Sequence, residues 1–169
     1  MPANIEIKAR VRDFASLQEA ATRLSDIPCQ VIAQEDTFFM CPQGRLKIRD
    51  LSPDHGQLIY YRRQDIAGPK HSDYSIFETD NPAGLKSILE EAYGVRGVIT
   101  KTRYLYMVGQ TRIHLDDVQG LGKFMELEVV LQPGQTDFEG QAIAQNLMHE
   151  LRIEDTDLIE AAYMDLIEK

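Results

Sequence analysis

Apolar and polar residues alternate along the first strand-like stretch of the chain. Ile5, Ile7, Ala9 and Val11 are apolar, and the residues between them are polar or charged. Successive side chains of a β-strand point to opposite faces, so this pattern predicts a strand with one apolar and one polar face. The polar face either lies in water or lines a charged interior, and one strand alone leaves both readings open.

The same period of two recurs in eight stretches, several of them separated by turns that contain glycine or proline. The predicted strands cover residues 3–12, 31–40, 44–51, 57–64, 73–79, 97–108, 110–118 and 123–132. Short connections favour antiparallel neighbours. Eight strands of this length can close into a barrel, which leaves no exposed sheet edge.

Four other stretches have the apolar spacing of amphipathic helices. The first begins at Ser16, where Ser16 and Glu19 form a predicted capping box, and the second begins at Asn81-Pro82 and ends near Gly94. Residues 138–152 and 157–168 form the other two. We therefore predict an α+β fold in which a closed eight-stranded antiparallel β-barrel carries helices on its outside, as one domain over residues 1–169.

Composition narrows the class of protein. The chain has 169 residues, of which 43% are hydrophobic and 27% charged, and no apolar run is long enough to span a bilayer. With no apolar signal segment and only Cys29 and Cys41, we expect free thiols and a cytoplasmic location. The net charge is −9, and residues 137–169 hold nine acids against two bases, so we expect neither nucleic acid nor membrane as a partner.

The polar rows of the predicted strands carry many cations. Lys47 and Arg49 share one face of a strand, and Lys101 and Arg103 repeat that spacing on another. Lys8, Arg63 and Arg112 occupy the polar rows of three more strands. If the apolar faces pack under the helices, these cations line the barrel lumen, where the oxygens of a polyphosphate would satisfy them.

Carboxylates share the same rows. Glu126 and Glu128 project from one strand face, Glu6 lies on the first strand, and Asp116 lies on the strand before Glu126. Oxygen ligands of this kind suit Mg²⁺ or Mn²⁺, which also bind phosphates directly. Two alternatives stay open: His114 either donates to a phosphate or packs, and Tyr61, Tyr104 or Tyr106 either stacks on a base or belongs to the core or barrel rim.

Several motifs together resemble one known family. They are the acid-x-lysine strand that contains Glu6 and Lys8, the LKIR and KTR segments, the run RIHLDDVQGLGKFMELE and the closing AAYMDLIEK. The chain resembles the CYTH superfamily over nearly its whole length, and residues 115–128 are the most specific part. That superfamily includes class IV adenylyl cyclases, thiamine triphosphatases and inorganic triphosphatases, and its fold is a closed eight-stranded triphosphate tunnel.

The resemblance implies roles for individual residues. Glu6, Asp116, Glu126 and Glu128 would hold the metal, with Glu6, Glu126 and Glu128 taking part in catalysis. The triphosphate would be held by Lys8, Lys47, Arg49, Arg63, Lys101, Arg103 and Arg112. One position departs from the family pattern, because Asn4 stands where the family signature has a glutamate. That change puts the second metal site in doubt.

The resemblance implies a metal-dependent enzyme that acts on a small triphosphate such as a nucleotide, thiamine triphosphate or tripolyphosphate. The first expectation is a class IV adenylyl cyclase-like enzyme that converts ATP into cyclic AMP and pyrophosphate. A metal-dependent triphosphatase and a non-catalytic sensor of a polyphosphate ligand are the alternatives. A homodimer is one way to cover apolar strand faces that four helices leave open.

Overall fold

A computed structural model of the protein describes residues 2–168, and within them the chain forms an eight-stranded barrel with helices outside it. The strands are β1 Ala3–Arg10, β2 Gln30–Phe39, β3 Arg45–Ser52, β4 His55–Arg63, β5 Lys70–Thr79, β6 Val95–Val108, β7 Thr111–Val118 and β8 Gly122–Val130. The helices are α1 Phe14–Leu24, α2 Pro82–Tyr93, α3 Asp137–Glu150 and α4 Tyr163–Ile167, with a 3₁₀ turn at Asp155–Asp157.

The sheet closes on itself in the order β1-β5-β4-β3-β2-β6-β7-β8, and each neighbouring pair is antiparallel. β1 pairs with β5 on one side and with β8 on the other, so the ends of the sheet meet at the first strand. The prediction of a closed eight-stranded antiparallel barrel is confirmed.

The main hydrophobic core lies outside the barrel wall. The apolar faces of β1, β7 and β8 pack against Leu17 and Ala21 of α1 and Leu147 and Met148 of α3. Gly140 lets α3 approach closely, because a Cβ there would lie 2.6 Å from the Ile5 side chain. Since the apolar rows face outward under these helices, the polar rows face the lumen.

Two element starts differ from the sequence prediction. Helix α1 begins at Phe14, not at Ser16, because Asp13 is the N-cap and its carboxylate accepts from the Ser16 backbone N–H. Strand β5 begins at Lys70, not at residue 73. The polar residues Lys70 to Asp73 show no apolar alternation, yet pairing with β1 extends the strand through them.

The C-terminal prediction of one helix over residues 157–168 is also wrong. Leu158 forms a bridge to Ala9, and the chain turns into the short helix α4 only at Tyr163. Tyr163 and Met164 pack with Phe38, Ile99 and Phe124, which closes one end of the barrel. Asp165 accepts hydrogen bonds from Arg45 and Arg96 at 3.0 and 2.7 Å, and these ion pairs hold α4 in place.

Cys29 and Cys41 are free thiols, as the sequence predicts. No helix among residues 2–168 combines the length and the apolar character that crossing a membrane requires.

Candidate functional site

Strand register brings the predicted site residues into neighbouring rows on the inner wall. Glu6 of β1 lies opposite Glu128 of β8, and Glu128 lies opposite Arg112 of β7. One step along the strands, Lys8 pairs with Glu126, which in turn pairs with His114. Directly opposed residues in antiparallel strands have adjacent side chains, so acids and cations from three strands meet on one wall.

The inner wall encloses a cavity of about 400 Å³. Ala162 and Tyr163 line it at the end that α4 closes, whereas Ile76, Glu78 and Arg112 are exposed side chains of its lining. Seven cationic and five carboxylate side chains line the cavity within the described chain, which leaves an excess of two cations. The cavity is therefore suited to an anion that arrives with a metal ion.

All seven predicted triphosphate-binding cations reach this cavity. They are Lys8, Lys47, Arg49, Arg63, Lys101, Arg103 and Arg112. All except Arg112 are at least largely buried, and burial of so many like charges is costly unless each one has a partner or a ligand.

Asp36 neutralises part of this charge. Its carboxylate accepts from Lys47 at 2.9 Å and from two nitrogens of Arg49 at 2.8 Å. Burial alone would raise the pKa of Asp36, but Arg49 and Lys47 hold the pKa well below its usual value. Asp36 is visible in the sequence as a member of a polar row, but its role as the common partner of two cations depends on the register of β2 with β3.

Asp116 has a similar part on the opposite wall. It is fully buried, and its two oxygens accept from Arg103 at 2.9 and 2.8 Å, with a third bond of 3.0 Å from the Tyr163 hydroxyl. Asp116 is not part of the cavity lining, unlike Glu6, Glu126 and Glu128. The structure thus brings three of the four predicted metal ligands together, and the fourth is engaged by Arg103 behind the wall. A metal role for Asp116 stays a prediction.

The three lining glutamates form a concentration of negative charge. Burial raises the pKa of Glu6 to about 7, and the nearby carboxylate of Glu128 adds to the rise. Burial would also raise the pKa of Glu126, but the ammonium group of Lys8, 3.2 Å from its Oε1, holds that pKa well below its usual value. A divalent cation relieves repulsion of this kind, so these residues fit a metal of the Mg²⁺ or Mn²⁺ type.

His114 lies beside the glutamates. Its Nδ1 is 3.5 Å from Oε2 of Glu126 and 3.9 Å from Oε1 of Glu128, and atoms of the three residues lie within 4.8 Å of one another. Burial and the neighbouring Arg103 lower the pKa of His114. Of the two readings open from sequence, the structure places the ring at the cavity wall.

Arg63 is the cation with the least satisfied charge. Its side chain is 6% exposed, and its Nε and Nη2 have no hydrogen-bond partner among the described residues. Its nearest carboxylate is Glu6, 4.0 Å from Nη1. A planar guanidinium with two buried, unpaired N–H edges is suited to a phosphate, which accepts from arginine through two oxygens.

Lys101 and Lys47 are deeply buried as well. Burial lowers the pKa of Lys101 to about 7, and the adjacent Arg103 contributes to the same shift. Burial lowers the pKa of Lys47 to about 8, although Asp36 partly opposes the change. A bound polyanion would favour the charged form of both lysines.

Sequence reasoning missed two residues of the interior. Tyr163 is 4% exposed, and the Nζ atoms of Lys8 and Lys101 lie 3.8 and 4.9 Å from its ring centroid. Lys70 is buried in the extension of β5, and its ammonium group donates to the carbonyl oxygens of Ile66 and Glu160. Neither has a periodic signal, because Tyr163 lies in the acidic C-terminal segment and Lys70 follows a turn.

The tyrosines and Asn4 can now be placed. Tyr61 lines the cavity, whereas Tyr106 belongs to the outer hydrophobic core and Tyr104 packs against it. Tyr104 and Tyr106 therefore do not face a ligand in the lumen. Asn4 lines the cavity, is 5% exposed, and its Oδ1 has no hydrogen-bond partner among residues 2–168.

The fold and the charged lumen define a closed antiparallel barrel with a tunnel for an anionic ligand. The CYTH domain family model matches residues 2–163. The chain therefore belongs to the CYTH domain family. Among curated proteins, no sequence matches the chain significantly.

Solved structures show the same fold. The PH1012 protein of Pyrococcus horikoshii has a TM-score of 0.84 at 23% identity, over 96% of this chain and 98% of that one. A candidate adenylate cyclase of Vibrio parahaemolyticus has a TM-score of 0.76 at 18% identity, over 98% of each chain. HpAC1 of Hippeastrum, a candidate adenylyl cyclase with a dominant triphosphatase activity, has a TM-score of 0.69 at 17% identity, over 98% of this chain and 95% of that one.

Proposed function

We propose that this protein is a metal-dependent enzyme that binds a small-molecule triphosphate in the barrel and cleaves one of its phosphoanhydride bonds. The observation that carries the proposal is the meeting of seven cations and three glutamates in one cavity of about 400 Å³. Cations of this density match three linked phosphates, and the glutamates match a divalent cation.

The residues divide the work. Arg63, with its unpaired N–H groups, and the lysines Lys8, Lys47 and Lys101 would bind phosphate oxygens and stabilise the charge that develops on the leaving group. Glu6, Glu126 and Glu128 would hold Mg²⁺ or Mn²⁺, which when bound shields phosphate charge and lowers the pKa of the attacking oxygen. Asp36 and Asp116 keep Arg49 and Arg103 fixed in the wall.

Adenylyl cyclase activity is our first candidate. In that reaction the ribose 3′-oxygen attacks the α-phosphorus of ATP, the bond to the bridging oxygen breaks, and pyrophosphate leaves. Tyr74, Ile76 and Val130 line the cavity together with Glu128, and they offer a base an apolar surface next to the metal site.

Hydrolysis of a triphosphate is the second candidate. Here water attacks the terminal phosphorus, and the same cations stabilise the leaving diphosphate. The finding that favours it is the dominant triphosphatase activity of the structurally similar Hippeastrum protein.

Product analysis distinguishes the candidates. The purified protein is incubated with Mg²⁺ or Mn²⁺ and with ATP, thiamine triphosphate or tripolyphosphate in separate reactions. Cyclic AMP with pyrophosphate supports the cyclase, and orthophosphate supports the triphosphatase. Binding of a triphosphate without turnover overturns the enzymatic proposal and supports a sensor. Loss of the activity in Glu128→Gln but not in the exposed Glu150→Gln would tie it to the cavity.

A further inference from the structure

His114 is a histidine of the inner wall, and hydrogen bonding among the described residues leaves one of its nitrogens unsatisfied. The ring is 3% exposed, and its Nδ1 is buried without a hydrogen-bond partner. Buried polar atoms are nearly always paired, so an orphaned nitrogen needs an explanation.

The surroundings of Nδ1 are two carboxylates. Oε2 of Glu126 lies at 3.5 Å and Oε1 of Glu128 at 3.9 Å, both beyond the usual range of an N–H···O hydrogen bond. Lys8 lies near the other oxygen of Glu126, at 3.2 Å from Oε1, so Oε2 is the oxygen nearer to the ring. Three donor atoms thus surround one small volume on the cavity wall.

The spacing of these atoms matches a coordination sphere. An octahedral ion with ligand distances of about 2.1 Å places neighbouring ligands about 3 Å apart and opposite ligands about 4.2 Å apart. The three residues offer atoms that all lie within 4.8 Å of one another, so only small side-chain movements would bring them onto one ion.

We propose that Nδ1 of His114 is a direct ligand, with Glu126 and Glu128, of the divalent cation, and that it biases the site toward Mn²⁺ over Mg²⁺. The inference rests on the proposed metal dependence and adds to it a nitrogen ligand and a preferred metal. Mg²⁺ binds oxygen ligands almost exclusively, whereas imidazole suits transition metals. Two carboxylates without the imidazole would give no such preference.

Electron spin echo spectroscopy of Mn²⁺ bound to the whole protein tests the ligand directly. We expect the ¹⁴N modulation of a coordinated imidazole in the wild type. The modulation should change to the ¹⁵N pattern when the protein is labelled with ¹⁵N-histidine, a comparison that requires no variant to fold. It should disappear in His114→Gln and persist in His149→Gln, which alters an exposed histidine of α3.

Metal titrations supply the second readout. His114→Gln should weaken Mn²⁺ binding by at least about 10- to 100-fold, the loss that even outer partners of metal ligands produce, and change Mg²⁺ binding much less. Equal losses for both metals overturn the proposed preference.

Failure of this inference can be told apart from failure of the proposed function. Mn²⁺ that binds in a Glu128-dependent manner without ¹⁴N modulation overturns the role of His114 and leaves the metal site intact. Absence of Mn²⁺ and Mg²⁺ binding with triphosphate present overturns both.

Discussion

Arg63 is the residue whose environment most clearly calls for an anion. Its neighbour Arg62 lies on the same strand but is exposed and donates to Tyr60 and Gln43 on the outside. The two arginines therefore form a matched pair, one aimed into the lumen and one aimed away from it.

We expect Arg63→Gln to weaken tripolyphosphate binding by about 1.5–3 kcal/mol, or about 10- to 150-fold, because a charge-assisted hydrogen bond to phosphate is lost. Arg62→Gln should bind nearly as the wild type does. Isothermal titration calorimetry at fixed salt measures both affinities. Similar losses in the two variants would mean that the anion does not bind in the lumen.

Asn4 tests the departure from the family pattern. Its side chain lines the cavity two positions before Glu6, so a carboxylate at this position would join the three glutamates. We expect Asn4→Glu to raise the affinity for Mn²⁺ or Mg²⁺ by at least about tenfold through the added charge, whereas Asn4→Gln should not. A metal titration in which the two variants behave alike would exclude a charge effect at this position.

Sequence predicted single residues well where period-two alternation assigned a face, as for Lys47, Arg49, Lys101 and Arg103. It could not predict which charges pair. Asp36 holds Lys47 and Arg49, and Asp116 holds Arg103, because strand neighbours and register bring them together. Two acids of the same residue type on the same kind of row, Asp116 and Glu126, thus have different surroundings that no local pattern shows.

At the scale of elements, the strands were predictable and the C-terminal segment was not. Lys70 to Asp73 join β5 only because β1 provides hydrogen-bond partners, so the strand lacks a local signal. Residues 157–168 carry apolar residues at helical spacing, but Leu158 pairs with β1 and Tyr163 enters the barrel end. Tertiary contacts override local propensity in both segments.

Helix α4 makes a separate prediction, because Tyr163 supports two lysines and Asp116 at once. Tyr163→Ala should lower the free energy of unfolding by about 3–5 kcal/mol, since a large buried side chain is removed. Tyr163→Phe should cost about 1 kcal/mol, the contribution of the hydroxyl bond to Asp116. Urea denaturation measures both. Tyr93→Ala, at a half-exposed tyrosine of α2, is the control, and a loss there as large as in Tyr163→Ala would contradict a special role for Tyr163.

At the scale of the whole molecule, part of the surface remains apolar. Ile88 and Tyr93 of α2 are exposed, as are Met40 and Val95 near the end of that helix. The homodimer stays a prediction. Light scattering over a range of concentrations should give twice the mass of the chain, and Ile88→Glu should shift the mass toward the monomer if this surface is the interface. A single-chain mass at all concentrations would exclude the dimer.

The attachment of α3 to the barrel should make stability depend on pH. His71 of β5 lies 2.8 Å from Asp137, the first residue of α3, and 2.9 Å from Asp73, and each carboxylate faces a different ring nitrogen. Only the imidazolium can donate to both carboxylates. These hydrogen bonds, led by that to Asp73, raise the pKa of His71 above its ordinary value of 6.5 although burial opposes the change.

Because the folded pKa is raised, the stabilising contribution of His71 is fully present below about pH 6.5 and is lost as the pH rises through the folded value. The wild type should therefore lose stability between pH 6 and pH 8.5 relative to His71→Gln, by less than about 1 kcal/mol because the pair is partly exposed. Urea unfolding at the two pH values measures the difference. His149→Gln, at an exposed histidine of α3, should keep the wild-type pH dependence. If His71→Gln keeps it as well, the imidazolium bridge does not contribute to stability, and α3 is held by its apolar face against β1 and β8 alone.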